Sequence, residues 1–279
     1  MSAANATQVA YWNDAAGRTW ASLQDQIDRQ IRPLGLAAMD RLAPVPGETL
    51  LDVGCGCGDT SLELARRVGA EGEVLGLDIS APMLDVARRR AKEDGTRGLE
   101  FREADAQTAA LPGGRDAVFS RFGVMFFADP AAAFCNLRRA LRPGGRLAFV
   151  CWRPLAENLW MRLPAETASG LVPPAPAPES GAPGPFAFSD PDRVRRILAE
   201  AGFTGVDITP HDEPIGGLDL EGTVEMSFRV GPLGAILRER PDLAPVLRDR
   251  VREAVSPWLR GDTVYMPSAT WMVSARNPA

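Results

Sequence analysis

The sequence predicts an α/β fold built on a doubly wound, parallel sheet. Short apolar runs typical of buried strands alternate with helical segments between residues 48 and 152. The first apolar run leads directly into a glycine turn and a helix start, which together form a nucleotide-type binding elbow. Strands that alternate with helices require right-handed crossovers, and therefore a parallel sheet with helices on both faces.

Length, composition and charge limit the possible classes of protein. A chain of 279 residues can bury one large core, or a core with a cap. Its formal net charge of −5 gives no basic surface of the kind that binds nucleic acid. Residues 2–13 lack the apolar core of a signal peptide, and no apolar run reaches the roughly 20 residues of a membrane span. Because the chain has four cysteines and one histidine, we expect reduced thiols, a cytoplasmic location and no metal site.

Residues 1–45 are predicted to form an N-terminal helical arm or lid, because apolar residues recur at helix-like intervals from Trp12 to Leu34. Three aromatic residues, Tyr11, Trp12 and Trp20, lie in this polar segment before the first strand. They either pack the arm onto the core or cover a ligand at the end of that strand.

The glycine elbow occupies residues 48–63. Gly54, Gly56 and Gly58 allow a tight turn and a close approach of the backbone to a ligand. Asp59 stands where the dinucleotide fingerprint has its third glycine. Thr60 with Glu63 fits a capping box at the start of the following helix.

The remaining elements of the predicted core, residues 46–153, follow in order. The second to fifth strands are expected at 72–79, 99–104, 115–121 and 146–152, with a turn at 142–145. Helices are expected at 60–68, from Ser80 as N-cap to about 93, and from Asp129 to about 141.

Beyond residue 153 the composition changes. Residues 154–190 are predicted to be a Pro-rich insertion, with an irregular linker at 172–185. Residues 191–279 are predicted to complete the sheet, with strands at 205–211 and 263–275 and a helical cap insertion at about 219–257. Pro210 and Pro267 indicate edge or bulged strands.

Polar side chains follow the ends of successive predicted strands, where parallel sheets bind their ligands. Asp78 could accept hydrogen bonds from both hydroxyls of a ribose, or could be a helix-capping or surface acid. Asp105 could accept from an exocyclic amine such as that of adenine, or could belong to a turn. Ser120 ends the fourth strand.

Four motifs carry a resemblance: LDVGCGCG at 51–58, LGLDIS at 75–80, EADAQ at 103–107 and LRPGGRLAF at 141–149. Together they resemble the class I S-adenosylmethionine-dependent methyltransferases. The flanking segments SRFGVMFFADP at 120–130 and FSDPDRVRRILAEAGF at 188–203 are similar to the small-molecule group that includes quinone C-methyltransferase-like enzymes.

The resemblance implies a seven-stranded, mostly parallel sheet whose last strand runs antiparallel. It implies S-adenosyl-L-methionine as cofactor, with the glycine turn at the methionine, Asp78 at the ribose and Asp105 with Ala106 at the adenine. The expected cofactor-binding residues are Asp52, Gly54, Cys55, Gly56, Asp78, Ile79, Met83, Asp105, Ala106, Ser120, Tyr11 and Trp20.

Two features depart from the common pattern. Cys55 and Cys57 occupy variable sites of the glycine turn, and no further ligands suggest that this pair binds metal. Residues 121–127 contain no Asp-Pro-Pro-Tyr-like motif, so methylation of nucleic-acid bases is not expected.

Aromatic residues near the ends of the fourth and fifth strands are candidates for an acceptor pocket, although large apolar residues are usually core. The expected pocket residues are Trp12, Arg121, Phe122, Phe126, Trp152 and Phe188. No catalytic residue is identifiable except His211, a candidate base that is the only histidine.

These patterns predict a methyltransferase that moves a methyl group to a small, partly apolar or aromatic acceptor by in-line displacement. Two alternatives remain at this point: a cofactor-binding protein with a non-methylating or regulatory role, and an NAD(P)-dependent oxidoreductase. The acceptor atom, whether O, N, C or S, and the oligomeric state are left open.

Overall fold

An eight-stranded sheet forms the centre of the computed structural model, which describes residues 5–173 and 181–279. The strands lie in the order β3-β2-β1-β4-β5-β8-β6, and β7 pairs only with β8. Their bounds are β1 (Thr49–Val53), β2 (Glu73–Asp78), β3 (Leu99–Glu103), β4 (Arg115–Arg121), β5 (Leu141–Trp152), β6 (Thr204–Leu218), β7 (Leu259–Arg260) and β8 (Thr263–Arg276).

Strands β1 to β5 pair in parallel, and β8 runs antiparallel to both β5 and β6. The predicted doubly wound, mostly parallel sheet of seven strands with an antiparallel last strand is therefore confirmed. The eighth strand, β7, is a two-residue addition that forms a hairpin with β8.

Eleven helices surround this sheet in the described ranges. They are α1 (Ala6–Asn13), α2 (Ala15–Ser22), α3 (Gln24–Leu42), α4 (Asp59–Val68), α5 (Ala81–Asp94), α6 (Pro130–Ala140), α7 (Leu159–Glu166), α8 (Pro191–Glu200), α9 (Leu220–Arg229), α10 (Gly231–Glu239) and α11 (Ala244–Val255). None of the helices in the described residues is long and apolar enough to cross a membrane.

The predicted helical arm consists of three helices, of which α3 anchors the arm to the sheet. Ile27, Ile31, Leu34, Ala38 and Leu42 are buried at spacings of three and four, so one stripe of α3 faces β4, β5, β6 and β8. Each buried Ile or Leu of this stripe stabilises the fold by roughly 1.5 to 3 kcal/mol.

The predicted capping box at the start of α4 is wrong. The N-cap position is Gly58, whose φ of +83° lies in the left-handed region, and it has no side chain to donate or accept. The Thr60 hydroxyl donates instead to Asp52 at 2.6 Å, and Glu63 pairs with Arg32 at 3.0 Å. Asp129 and Asp190, in contrast, do cap α6 and α8 through their side chains.

The predicted turn at 142–145 lies within β5. Arg115 of β4 pairs with Leu141, and Ala117 pairs with Arg146, so the four residues between them bulge out of the ladder. Gly144 allows this bulge with a φ of +73°. The strand therefore begins five residues earlier than the apolar pattern indicates.

The β6–β8 ribbon is much longer than predicted. Strand β6 extends to Leu218, and its prolines are tolerated because β6 lies at the edge of the sheet. Pro267 of β8 pairs with Pro214, beyond the point where Trp152 ends the pairing of β8 with β5. Of the predicted linker at 172–185, residues 174–180 lie outside the described residues.

Helices α7, α9, α10 and α11 pack around an apolar cluster that is separate from the main core. Val224, Leu233, Leu247 and Val251 are almost fully buried in it, together with Val264 from the end of the ribbon. We refer to residues 219–258, which enclose α9 to α11, as the cap. The cap is thus held by its own core and joined to the far end of the β6–β8 ribbon.

Candidate functional site

A cavity of about 450 Å³ opens at the carboxyl ends of the parallel strands. Its wall combines residues of the arm, of the turns after β1, β2, β3 and β4, of the end of β5, and of α7, α9 and α10. Such a volume is within the usual range for small-ligand sites. The cavity lies where a parallel sheet is expected to bind its ligand.

Most of the residues expected to bind a cofactor line this cavity. They are Tyr11, Trp20, Gly54, Cys55, Gly56, Asp78, Ile79, Met83, Asp105 and Ala106. Asp52 and Ser120 lie behind the wall and are fully buried. Of the expected acceptor residues, those on the wall are Trp12, Arg121, Phe122, Phe126 and Trp152.

The glycine turn presents bare backbone to the cavity. Gly54 and Gly56 have φ values of +68° and +54°, which side-chain-bearing residues rarely adopt. A Cβ on Gly54 would lie only 2.6 Å from the Cα of Gly123, in the turn after β4. The amide of Gly54 donates to the carbonyl of Leu77 at 2.8 Å, so the turn is also fixed to the end of β2.

Asp78 stands at the end of β2 with its carboxylate held by backbone amides. One oxygen accepts from Gly56 N at 2.8 Å, and the other accepts from Ser80 N at 2.9 Å. Each oxygen has a second lone pair, so the carboxylate can still accept from two hydroxyl groups. Burial is the largest influence on the pKa of Asp78 and raises it, although these amides oppose the shift.

Asp105 stands at the end of β3 and is held from two directions. Its Oδ1 accepts from the side chain of Asn5 and from Gln107 N, each at 2.9 Å. Its Oδ2 accepts from the Thr108 hydroxyl at 3.3 Å and has capacity for a further donor. The carboxylate can therefore accept from an exocyclic amine in the cavity.

Asp52 and Ser120 lie behind the cavity wall and hold the turns that follow β1 and β4. Asp52 Oδ2 accepts from the hydroxyls of Thr60 and Ser61, each at 2.6 Å, and burial raises the pKa of Asp52 to about 6. The Ser120 hydroxyl donates to the carbonyl of Val53 at 2.7 Å and accepts from Gly123 N at 3.2 Å. These side chains act on the shape of the wall without facing the cavity.

The arm closes over the cavity and packs its aromatic rings on the wall. The Trp12 ring contacts Tyr11, Trp20 and Phe126 in edge-to-face pairs, with centroids 5.2, 5.7 and 5.3 Å apart. The rings therefore pack the arm onto the core and also line the cavity, and their role in covering a ligand stays a prediction.

Hydrogen bonds fix the arm at the end of β2. The Asn13 side chain donates to the carbonyl of Ile79 at 2.7 Å and accepts from Ala81 N at 2.9 Å. The Ser80 hydroxyl, expected to cap α5, donates instead to the carbonyl of Trp12 at 2.7 Å. The arm thus contacts the chain directly after Asp78.

Phe122 has a backbone conformation that indicates strain at the site. Its φ of 61° lies in the left-handed region, which costs a non-glycine residue about 1 to 2 kcal/mol. The ring stacks on Trp152 with centroids 4.0 Å apart and an interplanar angle of 7°. Trp152 also contacts Trp160 of α7 at 5.2 Å. The strain and the stacking together fix one flat aromatic surface in the cavity.

Phe188 does not belong to the pocket. It is fully buried in the main core, where its ring packs 6.0 Å from that of Phe134 and 6.1 Å from that of Phe149. The expectation that Phe188 lines the acceptor pocket is not met, because the segment before α8 turns it toward α6 and β5.

Arg121 lies on the wall, but its charge is neutralised by carboxylates. Its guanidinium donates to Asp28 at 3.0 Å and to Asp59 at 2.9 Å. Asp28, which also lines the cavity, accepts from Arg90 at 2.9 Å. Burial is the largest influence on the pKa of Asp28 and raises it, while Arg121 opposes the shift. The network joins α3, α4, α5 and β4 beneath the cavity.

His211 lies on the edge strand β6 and is not part of the cavity wall. Its Nε2 is 3.1 Å from a carboxylate oxygen of Glu213, two residues along the same strand. The structure therefore places the one candidate base away from the other candidate residues.

Cys55 and Cys57 line the cavity as free thiols. Burial raises the pKa of the Cys57 thiol to about 12 and that of Cys55 well above its usual value. Among the residues with described positions, no group of three or more His, Cys, Asp or Glu could hold a metal ion.

Several wall residues were missed by the sequence analysis. Gly123 had a signal, since it directly follows the fourth strand and Phe122. Asn5, Asp28, Arg229 and Arg238 had none, because each reaches the cavity from a helix or turn that is distant along the chain from the motifs.

Comparisons with known proteins agree on one family. The sequence profile described as a methyltransferase domain matches residues 50–145. A demethylmenaquinone methyltransferase of Thermus thermophilus is 34% identical over 186 residues, which cover 60% of this chain and 79% of that protein.

A second relative matches this chain over a shorter region. The aklanonic acid methyltransferase DauC of a Streptomyces species is 37% identical over 118 residues, or 42% of this chain. The chain spans about half the length of that relative, 54%.

A solved structure is also similar in fold. The structure of phosphoethanolamine N-methyltransferase 2 from Haemonchus contortus, in complex with S-adenosyl-L-methionine, has a TM-score of 0.59. It is 16% identical, and the match covers 100% of this chain and 61% of that one.

Proposed function

The chain belongs to the class I S-adenosylmethionine-dependent methyltransferases, and from this premise we propose that it transfers a methyl group to a small acceptor. The acceptor is partly apolar or aromatic, and the methyl donor is S-adenosyl-L-methionine. The observation that carries the proposal is the single cavity in which the glycine turn, Asp78 and Asp105 meet a fixed aromatic surface.

The residues of the strand ends fit this cofactor. Gly54 and Gly56 line the cavity with bare backbone, so a group of the cofactor can lie directly on the turn. Asp78 retains one acceptor position on each carboxylate oxygen, which suits the two hydroxyls of a ribose. Asp105 retains capacity on Oδ2, which suits the exocyclic amine of an adenine. These are the donors of an adenosine.

When bound, S-adenosyl-L-methionine supplies an activated methyl group on a positively charged sulfur. The chain's contribution is to align the acceptor, exclude water and place aromatic faces near a cation. The stacked rings of Phe122 and Trp152 orient a flat acceptor, and the arm residues Trp12 and Trp20 cover the cavity.

A strong base is not required for acceptors that ionise readily, such as phenols and enols. None of the cavity-lining residues within the described ranges is a histidine, and the carboxylates there are held by amides, a side-chain amide or arginines. We therefore propose that the acceptor loses its proton to water or to buffer.

Isothermal titration with S-adenosylhomocysteine and, separately, with NAD tests the cofactor. We expect micromolar binding of S-adenosylhomocysteine and no binding of NAD. Tight binding of NAD alone would favour an oxidoreductase and refute the proposal.

Transfer is tested with labelled S-adenosyl-L-methionine and a panel of phenols, quinols, amines and thiols. Labelled product from a phenol or quinol is the expected result. Cofactor binding without transfer to any member of the panel would favour a non-methylating or regulatory role on the same fold.

We further propose that residues 1–45 act as a lid, that 46–153 hold the cofactor, and that 154–190 and the cap select the acceptor. The four cysteines are free thiols, which is consistent with a cytoplasmic location. A small molecule is the proposed partner rather than a nucleic acid, since the formal net charge is −5.

A further inference from the structure

The cap contributes positive charge to the cavity wall. The cavity-lining residues of α9, α10 and the residue between them include two arginines, Arg229 and Arg238, and no carboxylate. Both side chains are exposed at the mouth of the cavity. A ligand that enters through this mouth therefore meets two guanidinium groups.

These two arginines differ from the other arginines of the cap, because neither has a carboxylate or carbonyl acceptor in the described residues. Arg229 donates only to the neutral hydroxyl of Ser22, at 3.2 Å, and Arg238 makes no hydrogen bond or ion pair within residues 5–173 and 181–279. The arginines of the cap that do not line the cavity all have acceptors: Arg240 pairs with Asp242, Arg248 with Glu225, Arg252 with Glu221, and Arg250 donates to the Thr167 carbonyl.

The carboxylates elsewhere on the wall form no ion pair with these arginines within the described residues. Asp28 is paired with Arg90 and Arg121, and Asp78 and Asp105 accept hydrogen bonds from amides at the strand ends. The two guanidinium groups of the cap are therefore available to an anionic group of the ligand.

An aromatic surface lies in the same cavity as these arginines. Trp160 lines the cavity and contacts Trp152, whose other neighbour is Phe122. The wall that carries Arg229 and Arg238 therefore also offers aromatic rings to a flat ligand.

We propose that the acceptor is an aromatic compound that carries a carboxylate. Its ring lies against Trp152 and Trp160, and its carboxylate is bound by Arg229 and Arg238. A guanidinium binds a carboxylate through short, charge-assisted hydrogen bonds, which a neutral amide cannot replace. This inference rests on the proposed function, because it names the class of acceptor for the same cavity.

Two matched pairs of probes test the inference: salicylate with salicylamide, and hydroxynaphthoate with hydroxynaphthamide. Their binding is measured by quenching of tryptophan fluorescence, with and without S-adenosylhomocysteine. The variants are the double change Arg229→Gln and Arg238→Gln, with Arg240→Gln as control because Arg240 is paired with Asp242 away from the cavity.

We expect the unmodified protein to bind at least one carboxylate about tenfold more tightly than its amide. The double variant should reduce this preference to less than about twofold, whereas Arg240→Gln should keep it. Affinity for S-adenosylhomocysteine should be the same in all three proteins, since the arginines bind the acceptor.

Three results would overturn the inference: no binding of either carboxylate, equal affinity for carboxylate and amide, or a parallel loss of S-adenosylhomocysteine affinity in the double variant. The last would assign the arginines to the carboxylate of the cofactor itself. If the unmodified protein fails to bind S-adenosylhomocysteine, the proposed function fails, and the carboxylate preference measured without it still reports on the arginines.

Discussion

The two sides of the cavity are built in different ways. The strand-end side consists of the glycine turn, Asp78 and Asp105, and all of it comes from residues 53–106. The aromatic side consists of Trp12, Phe122, Phe126, Trp152 and Trp160, which lie up to 148 positions apart in the chain (160 − 12). Backbone amides fix the first side, whereas ring packing fixes the second.

Because the two sides are fixed differently, the same fold can keep its cofactor-binding side while the acceptor-binding side changes. Backbone amides are the same for every residue type, so the strand-end side depends on chain geometry and on a few glycines and acids. Ring packing depends on the size and shape of each side chain. Substitutions on the aromatic side should therefore change acceptor binding without changing cofactor binding.

The largest expected effect comes from Gly54→Ala, which breaks the strand-end side. A left-handed alanine costs about 1 to 2 kcal/mol, and its Cβ would lie 2.6 Å from the Gly123 backbone, which adds about 1 to 3 kcal/mol of overpacking. We expect the free energy of unfolding to fall by about 3 kcal/mol and S-adenosylhomocysteine binding to weaken at least about a hundredfold.

Chemical denaturation and calorimetry measure both quantities. Gly113→Ala is the matched control, because a Cβ there meets open space and the residue lacks a positive φ. Wild-type cofactor affinity in Gly54→Ala would show that the turn does not carry the cofactor.

The next largest effect concerns Asp52, the fully buried acid behind the strand-end side. Burial raises its pKa from an ordinary 3.8 to about 6, so the folded protein holds this proton to higher pH than the unfolded chain. The stability of the wild type relative to Asp52→Asn should therefore fall as pH rises from about 4 to about 6, by up to about 3 kcal/mol. Urea denaturation across this range measures the difference.

Asp94→Asn provides a control of opposite sign. The Thr96 hydroxyl and Arg66 hold the pKa of Asp94 below its usual value, so the contribution of Asp94 is lost as pH falls below about 4. A flat difference between wild type and Asp52→Asn would mean that folding leaves the pKa of Asp52 unchanged.

A smaller effect is expected for Asp78→Ala, which removes a carboxylate of the strand-end side, than for Gly54→Ala. Loss of charge-assisted hydrogen bonds to a ribose should raise the dissociation constant for S-adenosylhomocysteine about tenfold to a hundredfold. His211→Ala should change it by less than about twofold, since His211 lies off the cavity wall. Equal effects in calorimetry would remove Asp78 from the cofactor site.

The smallest effect on cofactor affinity is expected for Phe122→Gly, on the aromatic side. Relief of about 1 to 2 kcal/mol of left-handed strain offsets only part of the loss of roughly 1.5 to 3 kcal/mol of ring burial and about 0.5 to 1.5 kcal/mol of ring stacking. The free energy of unfolding should therefore fall by about 2 kcal/mol, since Phe122 is buried. Acceptor affinity should fall about tenfold while S-adenosylhomocysteine affinity stays constant.

Phe188→Leu is the comparison for Phe122→Gly. Since Phe188 is buried in the core, this change should lower stability by about 1 kcal/mol and leave both affinities unchanged. A loss of cofactor affinity in Phe122→Gly as large as the loss of acceptor affinity would show that the two sides are coupled.

Local patterns were sufficient for the sheet and for the strand-end side. Strand β1, the glycine turn and Asp78 lie within 30 residues, 49–78, and each follows a rule of backbone geometry that the sequence displays directly. The predicted capping box was wrong because the Thr60 hydroxyl donates to the buried Asp52. A helix-cap pattern considers only residues at the helix start, so it does not include this partner in β1.

The aromatic side could be predicted only in part. Trp152 and Phe122 stood near strand ends, whereas Phe188 lies between β5 and α8, and only its packing on Phe134 of α6 and Phe149 of β5 assigns that ring to the core. Arg229 and Arg238 are ordinary helix residues in sequence. They reach the cavity because the β6–β8 ribbon is seven residues longer than the apolar pattern indicated, ending at Leu218 instead of 211.

The position of the cap on this ribbon has a consequence for the evolution of such proteins. The chain leaves the sheet at Leu218 and returns through Leu259, and both residues pair with Val264. Because the two ends of the insertion are neighbours, a segment of different length or composition can replace it without altering the strand register. Under the proposed role of the cap, exchange of residues 219–258 would change the part of the acceptor site that the cap supplies while the sheet keeps its register.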